Sequence, residues 1–212
     1  SIEGADYSIV NNSSGYIKLV QTQITGNTSG GNIIYNSQSV GNINIDTNKL
    51  PQKPRSTLFA DSTYNIDKTG KTDVSQLIQK ALTDAGNSGG GVVYLSAGFY
   101  RLDNPIVVPS NVQLKGASSV ANRDQPDFSL GTLILSYYGD NISNPNDATA
   151  LITLYGKNSG VVGLRIINPL NNPSTPGNEG KVKPYPFAIR GNGDGVYVMN
   201  VGLAGAYNGV DF

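Results

Sequence analysis

The fold class this sequence predicts is all-β, a coil of short parallel strands with one α-helix over its first turn. Three observations predict it. First, Val92 to Leu95, Phe99 to Leu102, Ile106 to Val108 and Val112 to Leu114 are apolar runs of three or four residues. The breaks between them, Ser96-Ala97-Gly98, Asp103-Asn104-Pro105 and Pro109-Ser110-Asn111, are rich in residues that turn or end a strand. Strands this short, turning this often, suit a solenoid better than a sandwich of long strands. Second, Val74, Leu77, Ile78, Ala81 and Leu82 fall on one face of a helical pattern, with Ser75, Gln76, Gln79 and Lys80 on the other. Third, 26 Gly, 11 Pro and 12 Tyr with no Trp favour a turn-rich β protein over a helical one.

Taken in order, residues 1 to about 50 alternate loosely. Tyr7 to Val10, Tyr16 to Val20, Asn32 to Tyr35 and Asn42 to Asp46 are strand-like, separated by Asn-, Ser- and Gly-rich breaks. They fit either the last part of a β-sandwich or a short antiparallel sheet packed on the coil. Lys49 to Ser56, with two prolines and three positive charges, reads as a linker. This puts a strand-rich segment at residues 1–55 and the coil at 56–212. Asp73 and Gln76 have the spacing of a capping box that starts the helix, and Asn87 to Gly91 stops it. The helix then covers an end of the coil that would otherwise expose unpaired strand edges.

Beyond the fourth strand, residues 117–130 read as a surface loop. Thr132 to Ser136 and Leu151 to Tyr155 are the next strands, with a loop from Gly139 to Ala148 between them. Val112, Leu133 and Leu151 are spaced by about the twenty-odd residues of one solenoid repeat. Ser159-Gly-Val-Val-Gly-Leu-Arg-Ile is echoed by Asp194-Gly-Val-Tyr-Val-Met-Asn-Val. Between them Asn168 to Pro186 is a long loop with five prolines. The chain stops at Phe212 in what reads as mid-strand, so the sequence predicts one piece of a larger chain, its partner the remainder of its own domain.

Chemistry is bounded by what is missing. With no His and no Cys, Ser-His-Asp and Cys-His catalysis, thiolate and imidazole metal sites and disulfides are excluded, leaving Asp, Glu, Tyr, Lys or Arg. Fifteen basic residues balance fifteen acidic ones, and no apolar run approaches membrane-spanning length. Neither nucleic acid nor a membrane is therefore an expected partner. Gly86 to Gly91 is no phosphate loop, because no Gly-Lys-Ser/Thr follows. The glycosylation-type triplets at Asn11, Asn12, Asn27 and Asn141 are what an Asn- and Ser-rich sequence produces by chance.

The carboxylates available in the coil are Asp103, Asp124, Asp127, Asp140, Asp147, Glu179, Asp194 and Asp211. Asp194 and Asp211, at strand borders late in the chain, are the catalytic candidates; their plain readings are an Asp-Gly turn and a strand end. Tyr185, Phe187 and Arg190 are candidates for substrate binding, the two rings as a surface for a sugar or as local core. Arg101, Arg165 and Arg190 lack the acidic cluster a calcium-assisted elimination would need. Gly191-Asn-Gly-Asp-Gly is a tight turn before it is a calcium loop, so no cofactor is expected beyond a calcium ion at most.

The series of helix, GGGVVYLSAGFYRL and IVVPSNVQLKG, over residues 62–118, resembles the opening of right-handed parallel β-helix proteins of the pectate-lyase-like superfamily. That resemblance implies a right-handed parallel β-helix, a secreted bacterial setting and a polysaccharide partner. The run PYPFAIRGNGDGVYVMNVGLAGAYNGVDF, with GTLILSYYGDN before it, is similar to the first coils of bacterial α-1,3-glucanases. This implies a β-sandwich ahead of the β-helix and glycoside hydrolysis by aspartates beyond Phe212. The rivals are a pectate-lyase-like elimination and a carbohydrate-binding spike that cleaves nothing.

Overall fold

The computed structural model describes residues 9–11, 17–20, 28–30, 33–36, 52–117, 131–171 and 182–212. The chain forms two compact units, Ser1–Asn48 and Lys49–Phe212. In the first, β1 (Ile9–Asn11) pairs with β3 (Thr28–Gly30) and β2 (Ile17–Val20) with β4 (Ile33–Asn36), both pairs parallel. This corrects the antiparallel expectation for these strands. Each pairs with the next but one, because a whole strand lies in the connection, and parallel neighbours cannot be joined by a tight hairpin. The strand expected at Asn42 to Asp46 lies outside the described residues.

The second unit is a coil with three sides. It opens with β5 (Leu58–Ala60), a 3-10 turn at Asp61–Tyr64, β6 (Thr69–Asp73) and α1 (Ser75–Asn87). The next coil is β7 (Gly91–Leu95), β8 (Gly98–Leu102) and β9 (Ile106–Val108). Then come β10 (Val112–Gly116), β11 (Thr132–Ser136) and β12 (Ile152–Tyr155), followed by β13 (Gly160–Val162), β14 (Arg165–Ile167) and β15 (Phe187–Asn192). The last described coil is β16 (Tyr197–Met199), β17 (Gly202–Ala204) and β18 (Asn208–Asp211). The first sheet runs β5-β7-β10-β13-β16, the second β6-β8-β11-β14-β17 and the third β9-β12-β15-β18. Every pairing in them is parallel.

Register explains why short runs suffice. Val93, Leu114, Val161 and Val198 stack in one inward ladder, Tyr100, Ile134, Ile166 and Leu203 in a second, and Ile106, Ile152 and Ile189 in a third. Each buried aliphatic side chain contributes about 1.5–3 kcal/mol. The ion pairs among the described residues are all partly exposed, worth at most about 1 kcal/mol each. The stacked core therefore carries the stability. One corner, between the third and first sheets, repeats a left-handed residue: Gly90 (φ 113), Asn111 (φ 62), Asn158 (φ 55) and Gly195 (φ 68). Asn tolerates this conformation because its short amide bonds locally, and Asn158 Nδ2 donates to Asn111 Oδ1 at 3.2 Å.

The repeat length departs from the expected one. Val112, Leu133 and Leu151 belong to, or border, three different sheets, so they mark three sides of one coil rather than three coils. The echo between 159–166 and 194–201 does mark neighbouring coils, but two residues out of register, since Gly160 faces Tyr197.

The helix differs in detail as well. Val74 is the N-cap, and no side chain caps there. Asp73 instead accepts from the Ser75 N–H at 3.0 Å, from the Ser75 hydroxyl, from the Asp103 N–H at 3.1 Å and from Asn104 Nδ2 at 3.0 Å. It ties the helix start to the turn after β8 rather than closing a box with Gln76. Leu77 is 38% exposed, and the buried stripe is Val74, Ile78, Ala81, Leu82 and Ala85. The helix packs on β9, β7, β10 and β5.

Its decisive contact is polar. Gln79 Oε1 accepts from the Val107 N–H at 2.7 Å, and Gln79 Nε2 donates to the Val107 carbonyl at 3.1 Å. Among the described residues the third sheet has no strand before β9, and the Gln79 amide satisfies the edge as a neighbouring strand would. On the first coil's 3-10 turn, Asp61 is 6% exposed and accepts from the Ser96 N–H (3.0 Å), the Ser96 hydroxyl (2.6 Å), the Tyr100 hydroxyl and the Ser62 N–H (2.8 Å). Burial opposes its ionisation, but these bonds outweigh burial and hold the carboxyl below its ordinary value. Among the described residues no helix is long and apolar enough to cross a membrane.

Two outcomes are expected. Gln79→Ala leaves the Val107 edge to water, so amide exchange at Val107 accelerates while unfolding free energy drops by about 1 kcal/mol; unchanged exchange there would contradict the edge role. Asp61→Asn costs about 2 kcal/mol at neutral pH. Because the folded carboxyl titrates below the unfolded one, the Asp61 contribution is complete above the unfolded value of about 3.9 and fades as pH falls through the folded one. Urea titrations of both proteins should converge in acid.

Candidate functional site

A cleft of about 610 Å³ lies on the outer face of the second sheet, within the size range of small-molecule sites. Strand alternation builds it. Tyr100, Ile134 and Ile166 point into the core, so their chain neighbours point out, and Phe99 faces Leu133 while Leu135 faces Ile167 across the ladder. These four form the floor. Leu133 is only 2% exposed despite its outward position. Tyr137 and the 3-10 turn Pro169–Asn171 supply the walls.

The walls are held by polar contacts. Asn171 Nδ2 donates to the Gly205 carbonyl at 2.7 Å, and Asn171 Oδ1 accepts from the Lys183 N–H at 2.8 Å. The Arg101 guanidinium lies 4.5 Å from the Tyr137 ring centroid and gives Asp103 two bonds, at 2.7 and 2.9 Å. The Asp103 bond, foremost, raises the Arg101 pKa further above its ordinary value. Arg101 is thus a clamp on Tyr137 with its charge already matched.

The expected site residues fall in three places. Asp211, Arg190 and Phe187 come together on the third sheet: Arg190 Nε donates to Asp211 Oδ2 at 2.8 Å, and its guanidinium lies 4.9 Å from the Phe187 ring centroid. Arg190 also donates to the carbonyls of Asn146 (2.7 Å) and Ala148 (3.1 Å), pinning the segment between β11 and β12. Asp194 sits apart, exposed in the corner turn where its carbonyl accepts from the Asn158 N–H at 2.9 Å. Tyr185 is 1% exposed and offers no ring face to a sugar. Burial first, and then its bond to Asp140 at 2.9 Å, push its phenol well above the ordinary range.

Of the other carboxylates, Asp103 is held by Arg101 and Asp140 by Tyr185 and Lys183, while Asp124, Asp127 and Glu179 lie outside the described residues. Among the described residues no group of three His, Cys, Asp or Glu could hold a metal ion. The cleft went unread in the sequence, although one signal was present. Thr132-Leu-Ile-Leu puts apolar residues on both faces of a strand, where a solvated outer face calls for alternation.

Residues 58–162 match the family described as rhamnogalacturonase A/epimerase, pectate lyase-like. Among solved structures, the A-module of the mannuronan C-5 epimerase AlgE4 from Azotobacter vinelandii is similar at 20% identity and a TM-score of 0.52. The similarity covers 73% of this chain and 40% of that one. The A-module of AlgE6 from the same organism is similar at 18% identity and a TM-score of 0.49, with the same coverage. This chain therefore spans 40% of the length of the modules it resembles. A search of curated proteins finds no match. The family match supports the pectate-lyase-like superfamily over residues 58–162, and the AlgE4 likeness supports the fold alone.

Removing the Arg190 guanidinium should loosen the segment it pins. Arg190→Ala is expected to raise hydrogen exchange across residues 142–150, at a cost of about 1–2 kcal/mol. Exchange indistinguishable from the parent protein would show that the segment is held by other contacts.

Proposed function

We propose that this chain is part of a β-helix protein that acts on a polysaccharide, with the glycan lying in the cleft over the second sheet. The observation that carries the reading is the overlap of that cleft with the part of the coil matching a family described by polysaccharide-modifying enzymes: Phe99, Leu133, Leu135 and Tyr137 lie within residues 58–162, and the rest of the lining lies on the turns and strands that follow. An apolar floor, a tyrosine wall and a few polar groups make up the lining expected of a site that orients a ligand. The setting is extracellular and bacterial, and the reading assigns no cofactor.

For the reaction, glycoside hydrolysis of the α-1,3-glucanase kind is favoured by the likeness carried by residues 131–141 and 184–212. Hydrolysis needs two carboxylates about the scissile bond. Asp103 is tied to Arg101, which lies over the Tyr137 wall, and no carboxylate is among the described lining residues, so the reading gives these residues binding and positioning rather than an acid and base. Asp194 and Asp211 lie on other faces, and the reading gives them no catalytic step. Epimerisation or elimination at a uronate is the second reading, favoured by the epimerase in the family description.

Affinity electrophoresis through gels holding α-1,3-glucan, polygalacturonate or alginate tests the binding half. Retardation by at least one polymer is expected, weakened about threefold or more by Tyr137→Ala as a packed ring is lost. Reducing ends, unsaturated ends or inverted residues in the recovered polymer would then separate hydrolysis, elimination and epimerisation. Migration unaffected by any polysaccharide would remove the reading.

A further inference from the structure

The charge state of the cleft carries a statement about which sugar it accepts. Its floor is Phe99, Leu133, Leu135 and Ile167, and among the described residues no carboxylate, ammonium or guanidinium lines it. The cations nearest in register are already engaged. Arg101, across from Leu135, gives two bonds to Asp103, and Arg165, across from Leu133, has an interaction of its own. Lys183, whose N–H meets Asn171, turns its ammonium to Asp140 at 3.4 Å.

Of the polar side chains among the described lining residues, Asn171 is spent on Gly205 and Lys183, which leaves the Tyr137 hydroxyl and the Asn168 amide. Asn168 is 7% exposed, and its side chain makes no hydrogen bond to another described residue. Its backbone is fixed, the N–H donating to the Ala204 carbonyl at 3.1 Å and the carbonyl accepting from the Asn171 N–H at 3.0 Å. An amide offers one donor group and one acceptor, which suits a hydroxyl or an ester carbonyl and gives a carboxylate no charge to pair with.

We infer that the cleft selects a sugar unit without charge, either a neutral pyranose or an esterified uronate, over the free uronate. This rests on the cleft being a glycan site. A carboxylate entering it gives up hydration with no counter-charge among the described lining residues to replace it, which is costly. The C–H face of a neutral ring, or the alkyl part of an ester, gains by leaving water for Leu135, Ile167 and the Tyr137 ring, while the Asn168 amide fixes one oxygen.

The experiment compares retardation of the chain by polygalacturonate, by the same polymer fully methyl-esterified, and by α-1,3-glucan, at constant ionic strength. The esterified or the neutral polymer should be retained at least about tenfold more tightly than the free acid. Asn168→Ala should weaken that retention by about threefold or more, the loss of one hydrogen bond. Leu135→Lys, which places an ammonium in the floor, should shift preference toward the acid. Equal or tighter binding of the acid by the parent protein, or binding of the preferred polymer unmoved by both variants, would overturn the inference while leaving the glycan reading intact. Retention by none of the three would remove both.

Discussion

Each strand in a parallel coil borrows its hydrogen-bond partners from the coil before and the coil after, so the structure depends on how the first coil is closed. Two of its three sides are strands, β5 and β6, and the third is α1. A helix cannot pair with β9, because its backbone groups are spent within itself. Gln79 resolves this with one side-chain amide that presents a donor and an acceptor to Val107, the bonds a neighbouring strand would make. Around it Ile78, Ala81, Leu82 and Ala85 close the apolar interior. Asp61 does for the adjoining corner what Gln79 does for the edge, gathering Ser96 and Tyr100 of the second coil onto the first.

Much of this was legible in the sequence, because a solenoid writes its core in local runs. Val92 to Leu114 show the strands and the turns between them, and the apolar stripe of α1 shows a helix with one buried face. What the sequence blurred were matters of partnership. Asp73 and Gln76 have the spacing of a capping box, yet the turn after β8 offers Asp73 better donors in Asp103 and Asn104. Leu77 fits the helical period but stands at the edge of the stripe, whereas Ala85 continues it. Insertions of unequal length between strands hid the coil period, and the parallel pairing of β1 with β3 was invisible because pairing direction leaves no mark on alternation.

The site was harder to read than the fold for a related reason. Tyr185 and Phe187, aromatic and set in a proline-rich stretch, read as either a sugar platform or local core; Tyr185 is buried against Asp140, as the core alternative has it, and Phe187 lies under Arg190. The cleft instead uses ordinary strand residues, Phe99, Leu133, Leu135 and Ile167, which only register brings together. The same inward-outward alternation that builds the core leaves an apolar outer face on the second sheet, while the third sheet bears Arg190 and Asp211. One coil thus presents chemically different sides, and the difference is set by single residues on either side of each inward position.

The absence of cysteine from the sequence permits a direct measurement of the stacking on which all of this rests. Ala60, Tyr94, Lys115, Val162 and Met199 form one ladder across the first sheet. Spin labels at Ala60→Cys and Met199→Cys therefore stand four strand spacings apart, about 19 Å between backbones at roughly 4.8 Å per spacing. A narrow distance distribution near that value by electron double resonance is the expected result. A distribution centred beyond about 30 Å, well outside four such spacings, would mean that the coils do not stack in register, and the closure by α1, the cleft and its neutral lining would fall with them.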